Sequence, residues 1–140
     1  MENPKAPDRR YVITSAAALS PEQVTRAVSN TDGIARKMAM ARGRFARQQH
    51  KLELLRMIVD DAQSGRYPLS PAQIQLAAYP FHYLLAPHDL IPDAVPVAGY
   101  SDDLAVIVIA WKELEDELKA YATWKGLRYS SYFDIHEDDT

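Results

Sequence analysis

Residues 83–103 read YLLAPHDLIPDAVPVAGYSDD and connect two apolar segments of the chain. Prolines recur through this stretch, and because they fix backbone angles and remove amide donors, they predict a shaped loop. Carboxylates recur through it as well. The prolines are Pro87, Pro92 and Pro96, and the carboxylates are Asp89, Asp93, Asp102 and Asp103. Acidic side chains on a stiff loop suit a cation site, a docking surface for a partner, or a set of helix caps.

The segments on both sides of this loop have helical spacing. On the N-terminal side, residues 71–86 predict a helix that Pro80 is expected to kink, because proline removes one backbone hydrogen bond. On the C-terminal side, a helix is predicted over residues 102–124. Asp102 and Asp103 then lie in its first turn, where carboxylates favour the positive end of the helix dipole.

Capping signals predict two further helices upstream. Residues 19–24 (LSPEQV) combine a capping box with a proline at the first helical position, and residues 69–74 (LSPAQI) repeat this device. The first helix is expected to end near residue 30. The second runs over about 32–64 and stops at Gly65, with division into two shorter helices at Gly43 as the alternative.

The predicted fold is therefore all-α, with about four helices around a central antiparallel hairpin joined by the Pro/Asp-rich loop. Residues 1–19 are expected to form an irregular lead-in, residues 20–126 a single helical domain, and residues 127–140 an acidic aromatic tail. That tail is either disordered or docks its aromatic side chains on the body.

Composition sets outer bounds on function. At 140 residues, with 47% apolar and 25% charged residues, the chain is expected to be one soluble domain. The absence of cysteine excludes disulfides and thiolate metal sites and fits a cytoplasmic location. No signal-peptide pattern is present, and no apolar run reaches the roughly 18 residues of a membrane span.

Charge is unevenly distributed along the chain. Residues 1–66 hold 12 Lys/Arg and 7 Asp/Glu, a balance of +5, whereas residues 67–140 hold 4 and 12, a balance of −8. The basic side chains around the second predicted helix fall within an arc of roughly 140° on a helical wheel. They are Arg36, Lys37, Arg44, Arg47, His50 and Lys51.

This predicted basic face has several interpretations. It is a solvated helix surface, or it binds an anionic membrane surface or an acidic protein partner. Nucleic acid is disfavoured, because exposed aromatic residues do not alternate with the basic ones and the chain as a whole is acidic.

The four loop carboxylates also have two interpretations. If the loop folds back on itself, they converge on a divalent cation such as Mg²⁺ or Ca²⁺, which would also suit phosphate-ester chemistry. Alternatively they cap turns and the start of the last helix. No catalytic residue is predicted, because no histidine has a defined relation to Ser101 and the chain lacks a nucleophile elbow and a glycine-rich phosphate loop.

The apolar hairpin, residues 74–85 with 104–111, is expected to form the core. A dimer interface that makes the protein a homo-oligomer and a shallow membrane wedge are the alternatives. Both segments are too short to span a bilayer of about 30 Å.

The loop also carries a recognisable pattern. Its string is Pro87-x-Asp89-Leu90-Ile91-Pro92-Asp93-x-x-Pro96-x-x-Gly99-Tyr100-x-Asp102-Asp103-Leu104. It resembles the signature of the YkvA-like domain of unknown function, a family of short, mostly bacterial helical domains, with weaker similarity over about 52–124. The resemblance implies no activity or ligand residues, although some relatives place the equivalent hairpin at or within a membrane. Pro80, His88 and the longer N-terminal region depart from the common pattern, which argues against insertion here.

The function expected from these observations is a non-enzymatic helical interaction module, cytoplasmic or peripheral to the inner membrane. A divalent-cation-binding domain that uses the loop carboxylates is the alternative.

Overall fold

The structure, a computed structural model, describes residues 7–40, 48–85, 96–128 and 132–133, with only the backbone for residues 40 and 96–102. Within these residues the chain forms helices and no strand, which confirms the all-α class. The helices are α1 (Arg9–Ala17), α2 (Pro21–Ser29), α3 (Thr31–Met40), α4 (Gln49–Gln63), α5 (Pro71–Leu85) and α6 (Pro96–Lys125). The described residues thus hold six helices, and the predicted number of about four was wrong.

Helix α1 lies where an irregular lead-in was predicted. Asp8 caps it, since its Oδ1 accepts a hydrogen bond of 2.8 Å from the backbone N–H of Tyr11. Val12 and Ala16, four residues apart on one face, are buried in the core. The helix was missed because Thr14 and Ser15 interrupt its apolar pattern, so its amphipathic character is weak in the sequence.

The single helix predicted over 32–64 is replaced by α3 and α4. The residues between them, 41–47, which include Gly43, lie outside the described part of the chain. Asn30 caps the start of α3, because its Oδ1 accepts a hydrogen bond of 2.9 Å from the N–H of Gly33.

The capping boxes form as predicted. The backbone N–H of Ser20 donates to Gln23 Oε1 at 2.8 Å, and the N–H of Gln23 donates back to Ser20 Oγ at 3.1 Å. Ser70 and Gln73 exchange the same pair of bonds at 3.0 and 3.1 Å. The free amides at both helix starts are satisfied locally, so sequence alone locates these two boundaries.

Helix α6 begins earlier than predicted. It starts at Pro96, which suits the first helical position because its missing N–H is not needed there. Asp102 and Asp103 therefore lie beyond the first turn, which contains no acidic residue, and the prediction that they cap this helix start was wrong. Its C-terminal end agrees with the prediction, since Gly126 follows Lys125 with φ of 77°.

Helix α5 is central, because α1, α2, α3, α4 and α6 all pack against it. It continues through the buried Pro80 to Leu85. The pairing of α5 with α6 was expected from the predicted hairpin, but the residues that join them, 86–95, lie outside the described part of the chain. Fully buried side chains of the core include Leu54, Leu55, Ile58, Val59, Val106, Ile107, Leu118 and Tyr121.

Two aromatic residues of the tail, Tyr132 and Phe133, pack on this core. Phe133 is buried, and its ring centroid lies 5.2 Å from that of Trp111 on α6. The tail was predicted either to be disordered or to dock its aromatic side chains on the body, and Phe133 docks.

Candidate functional site

Asp103 is the loop-motif carboxylate whose side chain the structure describes. It lies on α6 and is only 1% exposed, and its Oδ2 is 3.8 Å from Nζ of Lys37 on α3. The Lys37 side chain is itself mostly buried. This ion pair, which is shielded from water, joins α3 to α6.

The other members of the motif are only partly placed. Pro96, Gly99, Tyr100 and Asp102 belong to the α6 backbone, and Asp102 has no described side chain. Pro87, Asp89, Pro92 and Asp93 lie outside the described residues. Among the side chains that are described, no three His, Asp or Glu residues lie close enough together to hold a metal ion. Convergence of the four carboxylates stays a prediction.

The described residues of the predicted basic face differ in their exposure to solvent. Arg36 is exposed, whereas Arg44 and Arg47 lie outside the described residues. Lys51 is only 5% exposed, with its ammonium 5.5 Å from the centroid of the Trp111 ring. His50 is half-buried. Lys51 and the Lys37 described above were thus wrongly assigned to an exposed surface, because their aliphatic stems pack into the protein while their charged groups meet buried partners.

A second buried carboxylate, Asp61, lies near the end of α4 and is 1% exposed. Arg66 Nε donates to its Oδ1 at 2.7 Å, and Lys125 Nζ donates to its Oδ2 at 2.8 Å. The hydroxyl of Tyr121 also donates to Oδ2. The Asp61 backbone carbonyl accepts hydrogen bonds from the N–H groups of Arg66 and Tyr67, so both ends of the residue fasten the α4–α5 turn.

The ionisation of Asp61 reflects these partners. Burial raises its pKa, but the hydrogen bonds from Lys125, Tyr121 and Arg66 outweigh burial and lower the pKa from 3.8 to about 2. Burial and the bond to Asp61 raise the pKa of Tyr121, so this hydroxyl stays protonated and keeps donating. The cluster fastens the end of α4 to the end of α6.

An aromatic end of the molecule, which we define as Tyr67, Tyr121 and Trp124, surrounds this carboxylate. The ring centroids of Tyr67 and Trp124 are 5.1 Å apart, and those of Tyr67 and Tyr121 are 5.0 Å apart. The Tyr67 hydroxyl donates to Glu117 at 2.7 Å, and its pKa is raised to about 12 by burial and by Glu117. Trp124 is 52% exposed, so a rigid, buried base presents a half-exposed indole to solvent.

The aromatic end was not predicted as a site. No motif or spacing in the sequence indicated a site at Asp61 or at these aromatic residues. A partial signal exists, because Arg66 and Lys125 flank the two helix-ending glycines, Gly65 and Gly126. Their meeting at one carboxylate depends on long-range packing that the sequence pattern does not contain.

An open cavity of about 540 Å³ lies elsewhere, among α2, α3 and the first half of α4, with Phe81 of α5 on its wall. Its apolar lining includes Val28, Ile34, Met38 and Leu52. Its polar lining includes His50, Glu53 and Arg56 of α4.

The described residues thus form a small helical domain with two buried carboxylates, an aromatic end and an open cavity. The family model described as protein of unknown function (DUF1232) matches residues 76–109, which cover the second half of α5 and the first half of α6. A relative in Bacillus subtilis (strain 168), named uncharacterized membrane protein YkvA, is 32% identical over 78 residues. That alignment covers 55% of this chain and 73% of the relative.

The chain therefore belongs to the DUF1232 family, the YkvA-like domains of unknown function, as the loop signature predicted. No solved structure matches the chain significantly. Within the described residues, none of the helices has the length and apolar content needed to cross a membrane.

Proposed function

We propose that this protein is a non-enzymatic helical interaction module that binds peripherally to the anionic inner surface of the cytoplasmic membrane through its aromatic end. The observation that carries the proposal is the half-exposed indole of Trp124 on its buried tyrosine base. Tryptophan favours the membrane–water interface, because its ring is apolar while its N–H meets polar headgroups.

Basic side chains around this indole support the same role. Arg66 and Lys125 have exposed fractions of 57% and 36%, and the exposed Arg128 follows shortly after α6. Carboxylates offset these charges, because Arg66 and Lys125 both pair with the buried Asp61, Asp60 lies 3.4 Å from Arg66, and Glu117 accepts the Tyr67 hydroxyl. The basic groups therefore give this end exposed donors for anionic lipid headgroups rather than a net positive charge.

The family relative supports the membrane part of the proposal through its name, since it is called a membrane protein. The aromatic end lies outside the family-matched residues 76–109.

Sedimentation with vesicles tests the proposal. We expect wild-type protein to co-sediment with phosphatidylglycerol-containing vesicles and Trp124→Ala to lose most of this binding, since the indole supplies the apolar contact. Val108→Ala is the matched control, because Val108 is also a large apolar side chain exposed on α6, at 40%. Equal binding by Trp124→Ala and Val108→Ala would contradict the proposal.

The predicted basic face is tested in the same assay. Lys51 is buried, so its replacement would disturb folding. The triple substitution Arg36→Glu, Arg44→Glu and Arg47→Glu avoids that problem. Loss of binding in this triple variant, with full binding by Trp124→Ala, would move the membrane contact from the aromatic end to the basic face.

A further inference from the structure

The open cavity bounded by α2, α3 and α4 has the size and lining of a small-molecule site. Its volume of about 540 Å³ lies within the range of roughly 300–1,000 Å³ that such sites occupy. Leu52 and Phe81 are buried residues of its wall, while Val28, Ile34 and Met38 are half-buried. A ligand would therefore meet an apolar surface that is already formed.

Arg56 is one of the charged residues of the polar lining. Its side chain is half-buried at the cavity, and within the described part of the chain it makes no hydrogen bond or ion pair. Glu53, one turn earlier on α4, is exposed and lies beyond ion-pair distance from it. A guanidinium held beside apolar side chains without a counter-ion favours an acidic group, because its planar donors match a carboxylate or phosphate.

We propose that this cavity binds a single-chain anionic amphiphile, with the apolar chain against Leu52, Phe81 and Met38 and the acidic headgroup at the Arg56 guanidinium. The positive charge of Arg56 favours an acidic headgroup, and the apolar lining favours a hydrocarbon chain. An open cavity accommodates such a ligand with its polar end towards solvent, so the exposed Glu53 does not need to be displaced.

This site is independent of the membrane proposal. The cavity lies along α3 and the first half of α4, whereas the aromatic end is built from the α4–α5 turn and the end of α6. A variant that loses vesicle binding, such as Trp124→Ala, is therefore expected to keep its affinity for the amphiphile. The two proposals can fail separately.

Calorimetric titration with decanoate, below its micellar concentration, tests the cavity. We expect wild type to bind decanoate about tenfold more tightly than decanol, because only the carboxylate pairs with Arg56. Arg56→Gln should remove this difference while leaving decanol binding unchanged. Arg36→Gln is the charge-matched control, since Arg36 is exposed on α3 and does not line the cavity.

A second pair of variants tests the location. Ala35 lines the cavity, and Ala39, one turn later on α3, does not. Ala35→Trp should fill the cavity and lower the affinity for both decanoate and decanol at least tenfold, whereas Ala39→Trp should not; thermal unfolding checks that both fold. Undetectable decanoate binding, equal weakening by Arg56→Gln and Arg36→Gln, or full binding by Ala35→Trp would each overturn the proposal.

Discussion

Asp61 and Asp103 are both 1% exposed, and each lies near a lysine of another helix, but at different distances. Asp61 accepts hydrogen bonds from Arg66 and Lys125 at 2.7 and 2.8 Å, and from Tyr121. Asp103 faces the Lys37 ammonium at 3.8 Å, an ion-pair distance longer than a hydrogen bond. Asp103 lies within the family-matched residues 76–109, and Asp61 lies outside them.

The difference separates two uses of a buried charge. Around Asp61, short bonds from several donors compensate burial, so the carboxylate stabilises the junction of α4 and α6. Around Asp103, a more distant ammonium joins α3 to the helix that carries the family motif. The first carboxylate is expected to matter most for stability, and the second for the placement of α3.

The largest effect is expected from Asp61→Asn. The pKa of Asp61 is lowered from 3.8 to about 2, which corresponds to about 2 kcal/mol of stability at neutral pH. Because the folded-state pKa is depressed, this stability is present above pH 4 and is lost as the pH falls through 2. Urea unfolding should therefore show Asp61→Asn less stable by about 2 kcal/mol at pH 7 and close to wild type near pH 2.

Asp60→Asn is the matched control for that comparison. Asp60 is the neighbouring acid, and its side chain is 71% exposed. Its replacement should change the free energy of unfolding by less than about 0.5 kcal/mol at either pH. A loss at pH 7 as large as that of Asp61→Asn, or a loss for Asp61→Asn that persists at pH 2, would break the comparison.

A smaller effect is expected from the Asp103–Lys37 pair. We expect a coupling free energy of about 1 kcal/mol in a double-mutant cycle of Asp103→Asn and Lys37→Met. The two charged groups lie 3.8 Å apart, and burial shields their interaction from water. Denaturant unfolding of the wild type, both single variants and the double variant measures it. Additive losses would show that the two side chains do not act as a pair.

The smallest effect is expected from added metal. Asp103 already faces an ammonium group, so we expect Mg²⁺, Mn²⁺ or Ca²⁺ to raise the melting temperature above its value in EDTA by less than about 1 °C. Thermal unfolding of wild type and the Asp89→Asn/Asp93→Asn variant makes the measurement. A larger rise that the variant abolishes would support the divalent-cation site and reopen phosphate-ester chemistry as a function.

Local signals predicted much of the fold. The two Ser-Pro-x-Gln capping boxes and the terminating Gly126 were correctly placed because each depends on residues within a few positions. The start of α6 was misplaced because Pro96 and Gly99 have the composition of a loop, although proline at a first helical position also favours a start.

The candidate sites were harder to predict because their contacts are distant in sequence. Lys51 was assigned to an exposed face, since a helical wheel gives direction but does not contain Trp111, which lies 60 positions further along the chain. Asp61 and Lys125 are 64 residues apart, and only the packing of α4 against α6 brings them together. The exposure of Trp124 likewise depends on where α6 ends relative to α4.

Tryptophan fluorescence tests the membrane proposal most directly. Trp111→Phe leaves Trp124 as the sole indole, because the chain contains only these 2 tryptophans. The account predicts that Trp124 emission shifts to shorter wavelength with phosphatidylglycerol vesicles and stays unchanged with neutral phosphatidylcholine vesicles. Unchanged emission with both kinds of vesicle would contradict binding through the aromatic end.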